Sequence, residues 1–215
     1  GELGELAQAM EAMRARLEGR DYIEGYVRAL THELKSPVAA IRGAAELLQD
    51  DLPEADRAVF AGQIEQQVQR IQRLIDRLLE LSKLEQRQSL LVDAPTSLRD
   101  CAEAAIAEAQ ARARQKNVAI TLQGDGGSGP FEAALVALAV SNLLDNAIDF
   151  SPVGGSVRVD LAGGRISVTD AGPGVPDYAL PRLGERFFST PRPNGERTGS
   201  GLGLAIVRQI MALHH

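Results

Sequence analysis

The sequence predicts a two-domain protein: an all-α helical hairpin that forms a dimeric four-helix bundle, followed by an α+β domain. Apolar residues repeat every three or four positions up to about residue 84, as in amphipathic helices. After about Gln88, β-branched and turn residues become frequent. The 215 residues, 44% of them hydrophobic, suffice for two modest domains. We place a coiled-coil segment at 1–20, the hairpin at 21–88 and the α+β domain at 89–215.

The first helix begins with a short heptad pattern. Apolar residues from Leu3 to Leu17 are spaced three and four apart, which indicates a coiled coil. The pattern resumes at Ile23, one residue earlier than a heptad requires. Either the winding changes near Gly19 or the helix breaks there. Pro37 lacks an N–H and its ring clashes with the carbonyl of residue 33, so we expect a bend after residue 32.

The second helix follows a short interruption. Pro53 is suited to the first turn of a helix. A broad apolar stripe then includes Ile64, Val68, Ile71, Leu74, Ile75, Leu78, Leu81 and Leu84. One hairpin cannot bury the stripes of both helices, so self-association as a homodimer is expected.

The second domain shows helices and strands in mixed order. The predicted strands lie at 89–92, 118–122, 156–161 and 165–169, and Gly163-Gly164 turns the last two into a hairpin. The predicted helices lie at 97–116, 131–150 and 202–213. Helices on a mostly antiparallel sheet define an α+β domain.

Composition excludes several function classes. The formal charge is −6, and no basic stripe with interleaved aromatic residues occurs, so a nucleic-acid surface is not expected. The single cysteine, Cys101, falls on an apolar helical face and is expected in the core. No uninterrupted apolar run of membrane-spanning length and no signal peptide pattern occurs, so no membrane segment is expected in this stretch.

His32, in the stretch LTHELKSPV, invites a functional explanation. At ~100° per residue it points away from Leu30 and Leu34, which face the bundle core. Neighbouring helical turns offer no other metal ligands, and only Glu33 is adjacent. An exposed neutral imidazole can act as a nucleophile while a carboxylate orients the proton on its other nitrogen. This local pattern is also compatible with a solvated surface histidine.

The second domain contains motifs that suit a nucleotide. Asn142 and Asn146 are four residues apart on one helical face, where amide oxygens can converge on a cation or phosphate. DAGPG follows a predicted strand, and TGSGLGLA precedes a helix, where glycines let backbone amides approach phosphate. The glycines do not open a Rossmann unit, and no Walker lysine follows them.

Taken in order, these motifs resemble those of bacterial two-component sensor histidine kinases. HELKSP is similar to their H box, NLLDNA to the N box, DAGPG to the G1 box, ERFF to the F box and TGSGLGLA to the G2 box. Two longer stretches around the first and last boxes resemble the CreC-type subgroup. The resemblance implies a dimerisation and phosphotransfer hairpin followed by a Bergerat-type ATP-binding sandwich. GELGEL at the start is similar to the end of a HAMP signalling segment.

The resemblance also implies roles for individual residues. His32 is the phosphoacceptor, Glu33 its acid/base neighbour, and Ser36 stands where phosphatase-active members commonly have Thr or Asn. Asn146 is the Mg²⁺ ligand, and Asn142 lies near the phosphates. Asp170 receives the adenine amino group of ATP. The other implied nucleotide-site positions are Asp149, Gly172, Gly174, Phe188, Thr198, Gly199, Ser200, Gly201, Leu202 and Gly203. For Phe187 and Phe188, plain packing is an equal alternative.

The sequence departs from the family pattern at three places. Asp149 replaces a residue that is often basic, and Ser189 replaces one that is often Arg. Charge neutralisation then falls to Mg²⁺ and to Arg186, Arg192 or Arg197. The family usually has a further strand pair after the last helix, so the domain is expected to be C-terminally incomplete.

The expected activity is ATP-dependent autophosphorylation of His32, then transfer to an aspartate in the receiver domain of a response regulator, with possible phosphatase activity. The expected setting is the cytoplasmic portion of a bacterial inner-membrane protein. Two alternatives stay open: a dimerising scaffold without activity, and another ATPase or a serine kinase of the same ATP-binding superfamily.

Overall fold

The computed structural model describes the backbone of residues 2–92, 94–190 and 199–214, and within these ranges the side chains from residue 25 onward. The helices are α1 (Glu2–Leu47), α2 (Glu54–Gln86), α3 (Leu98–Gln115), α4 (Ala133–Phe150) and α5 (Gly203–Leu213), with a 3₁₀ turn at Leu180–Arg182. The strands are β1 (Thr96–Ser97), β2 (Ala119–Gly124), β3 (Ser128–Gly129), β4 (Ser156–Ala162) and β5 (Arg165–Asp170). The chain divides into two compact units, residues 1–75 and 76–215.

The first unit consists of α1 and most of α2. Helix α1 runs through Gly19 without interruption, so the predicted alternative of a helix break there is wrong. It also continues through Pro37, whose side chain is buried. After the turn, the Pro53 carbonyl accepts hydrogen bonds from the N–H groups of Asp56 and Arg57 at 3.0 and 3.1 Å. Pro53 thus opens α2, as its fixed φ favours.

The second unit is a sheet covered by helices on one face. Strand β4 is central; it pairs in parallel with β2 and antiparallel with β5. The expected antiparallel hairpin is therefore confirmed, and the three-stranded sheet is mixed, because β2 reaches β4 by a crossover through α4. Alternate residues of β4, Val157, Val159 and Leu161, face the core.

Helices α3 and α4 pack together over this face. The α3 contact surface consists largely of small buried residues, Cys101, Ala102, Ala105, Ala109 and Ala113, which let the two helices approach closely. Ser97 starts α3 by accepting a hydrogen bond from the Asp100 N–H at 3.2 Å. Cys101 is a core residue as predicted, and burial raises the pKa of its thiol.

The strand predicted at 89–92 does not form. Leu91 is 72% exposed, and its N–H donates to the Glu132 carboxylate rather than to a neighbouring strand. The first strand of this unit is instead the two-residue β1, which pairs with β3. A short apolar run with no partner strand opposite it cannot form a ladder.

One described helix, α4, is long and apolar enough by composition to cross a membrane. Leu144, Ile148 and other apolar side chains on one side of this helix are buried against the sheet and α3. Helix α4 is the core helix of the second unit.

Candidate nucleotide-binding and phosphoacceptor sites

His32 lies on α1 with its side chain exposed, as the helical spacing predicted. Glu33 beside it is half-buried, and its carboxylate lies 3.8 Å from the Arg70 guanidinium, which is an ion pair without a hydrogen bond. Ser36, one turn later, is exposed. Among the described residues no group of three or more His, Cys, Asp or Glu side chains could hold a metal ion. The first unit therefore presents an accessible imidazole next to a carboxylate.

Helix α4 presents the two asparagines one turn apart. Asn142 is buried, and its Nδ2 donates to the Leu138 carbonyl at 2.9 Å. This bond fixes the amide so that Oδ1 is directed away from the helix backbone. Asn146 is half-buried on the same helical face.

Asp170 closes β5 beside the end of α4. Its Oδ1 accepts a hydrogen bond from the Gly172 N–H at 2.7 Å. A Cβ at residue 172 would lie 2.6 Å from that oxygen and 2.8 Å from the Phe150 carbonyl oxygen. Only glycine fits there, and it brings the Asp170 loop against the end of α4. Gly174, at φ +73°, has open space around it.

The G2 glycines contact the F box. The Phe187 N–H donates to the Gly201 carbonyl at 3.0 Å, and Phe187 has a φ of +61°. Gly201 has a φ of +65°, and a Cβ there would lie 2.5 Å from the Phe187 carbonyl carbon. The Phe188 ring packs under the Arg182 guanidinium at 4.2 Å. The loop before α5 is thereby fixed to the 185–188 segment.

The same loop reaches Asn142. Leu202 is fully buried, and Gly203 begins α5. A Cβ on Gly203 would lie 3.0 Å from Asn142 Oδ1. The Ser200 hydroxyl is buried, and no residue that the structure describes forms a hydrogen bond with it. The structure thus brings the N, G1, F and G2 boxes together in one unit; Gly199 is half-buried in the same loop, and Thr198, Arg192 and Arg197 lie outside the described residues.

An ion-pair cluster lines α4 beside the asparagines. Asp145 accepts hydrogen bonds from Arg112 and, at 3.0 Å, from Arg77 Nη2. Arg112 Nη2 also donates to Asp149 at 2.9 Å. Lys116 Nζ donates to the Ile148 and Asp149 carbonyls at 2.9 and 2.6 Å, which caps the end of the helix.

Sequence reasoning did not identify these three cations. One face of this helix carries two carboxylates and two amides, so the sequence does indicate that cations must pack against it. These residues are Asn142, Asp145, Asn146 and Asp149. The sequence does not indicate which cations these are, because Arg77, for example, is 68 positions from Asp145.

The chain joins a helical hairpin that carries an exposed histidine to an α+β unit whose glycine loops meet an asparagine-bearing helix. Residues 24–87 match the family model of the His Kinase A (phospho-acceptor) domain. Residues 132–215 match that of the histidine kinase-, DNA gyrase B-, and HSP90-like ATPase. The chain belongs to the sensor histidine kinase family.

Two similar proteins are sensor proteins. The chain is 45% identical over 219 residues to the sensor protein CreC of Escherichia coli (strain K12), covering 99% of the chain and 45% of that protein. It is 40% identical over 188 residues to the sensor protein QseC of Escherichia coli O157:H7, covering 85% of the chain and 41% of that protein. The chain therefore spans less than half the length of these relatives.

Solved structures share the fold. Full-length ShkA in complex with AMPPNP superposes with a TM-score of 0.56 at 25% identity, covering 86% of this chain and 40% of that one. The histidine kinase ThkA in complex with the response regulator TrrA gives a TM-score of 0.68 at 17% identity, covering 82% and 54%. At that identity the second likeness concerns the fold alone.

Proposed function

We propose that this chain is the catalytic core of a sensor kinase that transfers the γ-phosphoryl group of ATP to a ring nitrogen of His32. The observation that carries the proposal is the combination, in one chain, of an exposed imidazole beside Glu33 and a glycine-lined asparagine site of the ATPase family. The imidazole lone pair forms the N–P bond as the bond to the β-phosphate oxygen breaks and ADP leaves. Glu33 accepts the proton from the other ring nitrogen.

The nucleotide fits the second unit. Asp170 is exposed at the end of β5 and offers a carboxylate to the adenine amino group. A Cβ on Gly172, Gly201 or Gly203 would meet Asp170, Phe187 or Asn142, so these glycines let the loops pack closely against the residues of the site, whereas the space beside Gly174 is open. The backbone amides at the start of α5 suit phosphate oxygens.

The asparagine side chains of α4 suit a magnesium ion. Asn146 would hold the ion through its amide oxygen, with Asn142 beside it, because amide and phosphate oxygens are the hard ligands that magnesium prefers. When bound, the ion would neutralise charge on the phosphates. Asp149 is a less suitable ligand as it stands, since its carboxylate is paired with Arg112.

A response regulator is the proposed acceptor of the phosphoryl group from His32, through an aspartate of its receiver domain. The neighbouring fold of ThkA was solved in complex with the response regulator TrrA, which supports this class of partner. Ser36 keeps a hydroxyl one turn from His32, so phosphatase activity, in which water takes the phosphoryl group from the regulator aspartate and inorganic phosphate leaves, is part of the proposal.

The proposed working state is a homodimer. Apolar residues of the predicted hairpin stripes are close to half exposed in the single chain: Val27 and Val38 on α1, and Val68 and Ile75 on α2. Covering them requires a second helical pair. Light scattering on a sizing column is expected to give twice the 23.0 kDa of one chain; a single-chain mass would contradict the bundle.

We further infer that the segment works as the cytoplasmic part of a longer bacterial sensor protein anchored in the inner membrane. The short span of the chain relative to its relatives and the requirement for ATP support this placement. Fractionation of cells expressing the full-length protein, followed by protease treatment from the outer side, tests it. Protection of His32-containing fragments is the expected result, and their digestion would contradict it.

Labelled ATP tests the activity. We expect γ-labelled ATP to transfer label to the wild-type chain and to His214→Ala, a histidine control, but not to His32→Ala. Asn146→Ala is expected to lose labelling because it loses the magnesium ligand. A serine kinase of the same superfamily would keep its label in His32→Ala, and a scaffold would take up no label in any variant.

A further inference from the structure

The nucleotide site has a charge deficit on α4. Two carboxylates, Asp145 and Asp149, lie on the same helical face as Asn142 and Asn146, and Arg112 supplies one positive charge to the two of them, so α4 and Arg112 together leave no positive charge for the phosphates. Magnesium offsets only part of the charge of a triphosphate. A cation from outside α4 is therefore needed close to the start of α5.

Arg77 is such a cation. It lies near the C-terminal end of α2 and packs with the second unit. Its Nη1 is 3.8 Å from the position that a Cβ on Gly203 would occupy, and Asn142 Oδ1 is 3.0 Å from the same point. The guanidinium thus lies next to the first residue of α5 and the N-box asparagine.

The guanidinium has donors to spare. Its Nη2 binds Asp145 at 3.0 Å, which aims the group along α4. A guanidinium carries five N–H donors, and among the described residues Asp145 is the hydrogen-bond acceptor of this side chain. The side chain is 34% exposed, so a ligand can reach it.

The Asp145 carboxylate has a hydrogen-bond donor other than Arg77. Arg112 alone donates to both Asp145 and Asp149, through its two terminal nitrogens. The ion pair therefore does not need a second arginine; the charge of Arg77 also acts on Glu80, where it counteracts the burial that raises the pKa of that carboxyl, and its remaining donors suit another anion. Bidentate recognition of phosphate suits a guanidinium whose orientation is already fixed.

We propose that Arg77 is a triphosphate-binding residue of the nucleotide site, supplied by α2 and oriented by Asp145. The proposal rests on the proposed ATP-binding function and adds a residue to it. Arg77 contacts the β- and γ-phosphates and not the adenosine. Since α2 is also the second helix of the hairpin, nucleotide binding and the hairpin share a structural element.

Nucleotide affinities test this with the whole chain. Calorimetric titrations with ATP, ADP and AMP in the presence of magnesium are expected to show that Arg77→Gln weakens ATP about tenfold to a hundredfold. AMP affinity is expected to change less than twofold, because Asp170 and its pocket are untouched. Arg77→Lys keeps the positive charge but lacks the planar group that can donate two parallel hydrogen bonds, so it is expected to lose an intermediate amount of ATP affinity. Arg73→Gln, one turn earlier on the same helix, is the matched control and is expected to bind all three nucleotides as the wild type does.

Asp145→Asn distinguishes a phosphate ligand from a structural pair. Asp145→Asn keeps an oxygen that can accept the orienting hydrogen bond from Arg77 and removes the charge that competes with phosphate, so it is expected to keep or raise ATP affinity, whereas Arg77→Gln lowers it. The proposal is overturned if both variants weaken ATP alike, if Arg77→Gln weakens AMP as much as ATP, or if it leaves ATP affinity within twofold of the wild type. A wild-type chain that binds no nucleotide at all would instead remove the proposed function itself.

Discussion

Replacing Gly201 with alanine tests whether the close fit between the G2 loop and the F box is needed for nucleotide binding. Gly201 has a φ of +65°, and a Cβ there would lie 2.5 Å from the Phe187 carbonyl carbon, 2.7 Å from its Cα and 2.8 Å from the Phe188 nitrogen. All three contacts are to backbone atoms, which cannot rotate away as a side chain can.

The free-energy cost of Gly201→Ala has two causes. A left-handed conformation costs an L-residue about 1–2 kcal/mol. The overlap adds to this, because carbon atoms pack at about 3.5–4.0 Å and the backbone must therefore move by about 1 Å. That movement breaks the 3.0 Å hydrogen bond from the Phe187 N–H to the Gly201 carbonyl and displaces the amides at the start of α5.

Gly163→Ala is the matched control. Gly163 also has positive φ, +55°, but nothing lies within 4 Å of its Cβ position in the β4–β5 turn. Gly163→Ala is expected to lose about 1–2 kcal/mol of stability, a fall in melting temperature of about 2–8 °C, and Gly201→Ala is expected to lose more because of the overlap. Only Gly201→Ala is expected to lose ATP affinity, by at least about tenfold, which corresponds to 1.4 kcal/mol.

Thermal melting and calorimetric ATP titration of the two variants measure these effects. Equal ATP affinity in Gly201→Ala and Gly163→Ala would refute the reasoning, since it would mean that the contact between the loop and the F box does not shape the site.

Three further predictions concern the second unit. Gly172→Ala is expected to abolish AMP binding, because its Cβ would lie 2.6 Å from Asp170 Oδ1; unchanged AMP affinity in a titration would place adenine elsewhere. Leu144→Ala is expected to lower stability by about 2–5 kcal/mol in denaturant unfolding, since Leu144 is fully buried, and a loss below about 1 kcal/mol would contradict its place in the core. The hydrogen bond from Arg87 holds the pKa of Glu132 below its ordinary 4.5, so this pair stabilises the fold above pH 4.5, and the stabilisation is lost as the pH falls through the lowered value. The unfolding free energy of Glu132→Gln is accordingly expected to depend less on pH below 4.5 than that of the wild type, and identical profiles would contradict the assignment.

Local patterns predicted the helices well. The helix predicted at 97–116 lies within a residue or two of the observed bounds of α3. The glycine pair at 163–164 fixed the β4–β5 hairpin, because that turn needs positive φ at both positions.

The sheet was harder to predict. Whether a strand at 89–92 forms depends on a partner strand, and whether β2 runs parallel to β4 depends on a crossover through α4. Neither follows from the residues of the strand itself. For this reason the two-residue pairing of β1 with β3 was also missed.

The site was predicted in part. The asparagines, Asp170 and the glycines follow from motif spacing, and the structure brings them together. The arginines that control its charge do not follow from spacing, because Arg77 and Arg112 reach α4 from two other helices. Pairing of charges between distant segments is set by packing, which the local sequence does not encode.

The position and chemistry of the transferred phosphate test the central claim most directly. After incubation with ATP, tandem mass spectrometry of a tryptic digest covers residues 29–35, a peptide that contains both Thr31 and His32. We predict a phosphoryl group on His32 that is lost in acid and kept in alkali, because protonation of the ring makes imidazole a good leaving group. A phosphate on Thr31 or any other residue, stable in acid, would contradict the account.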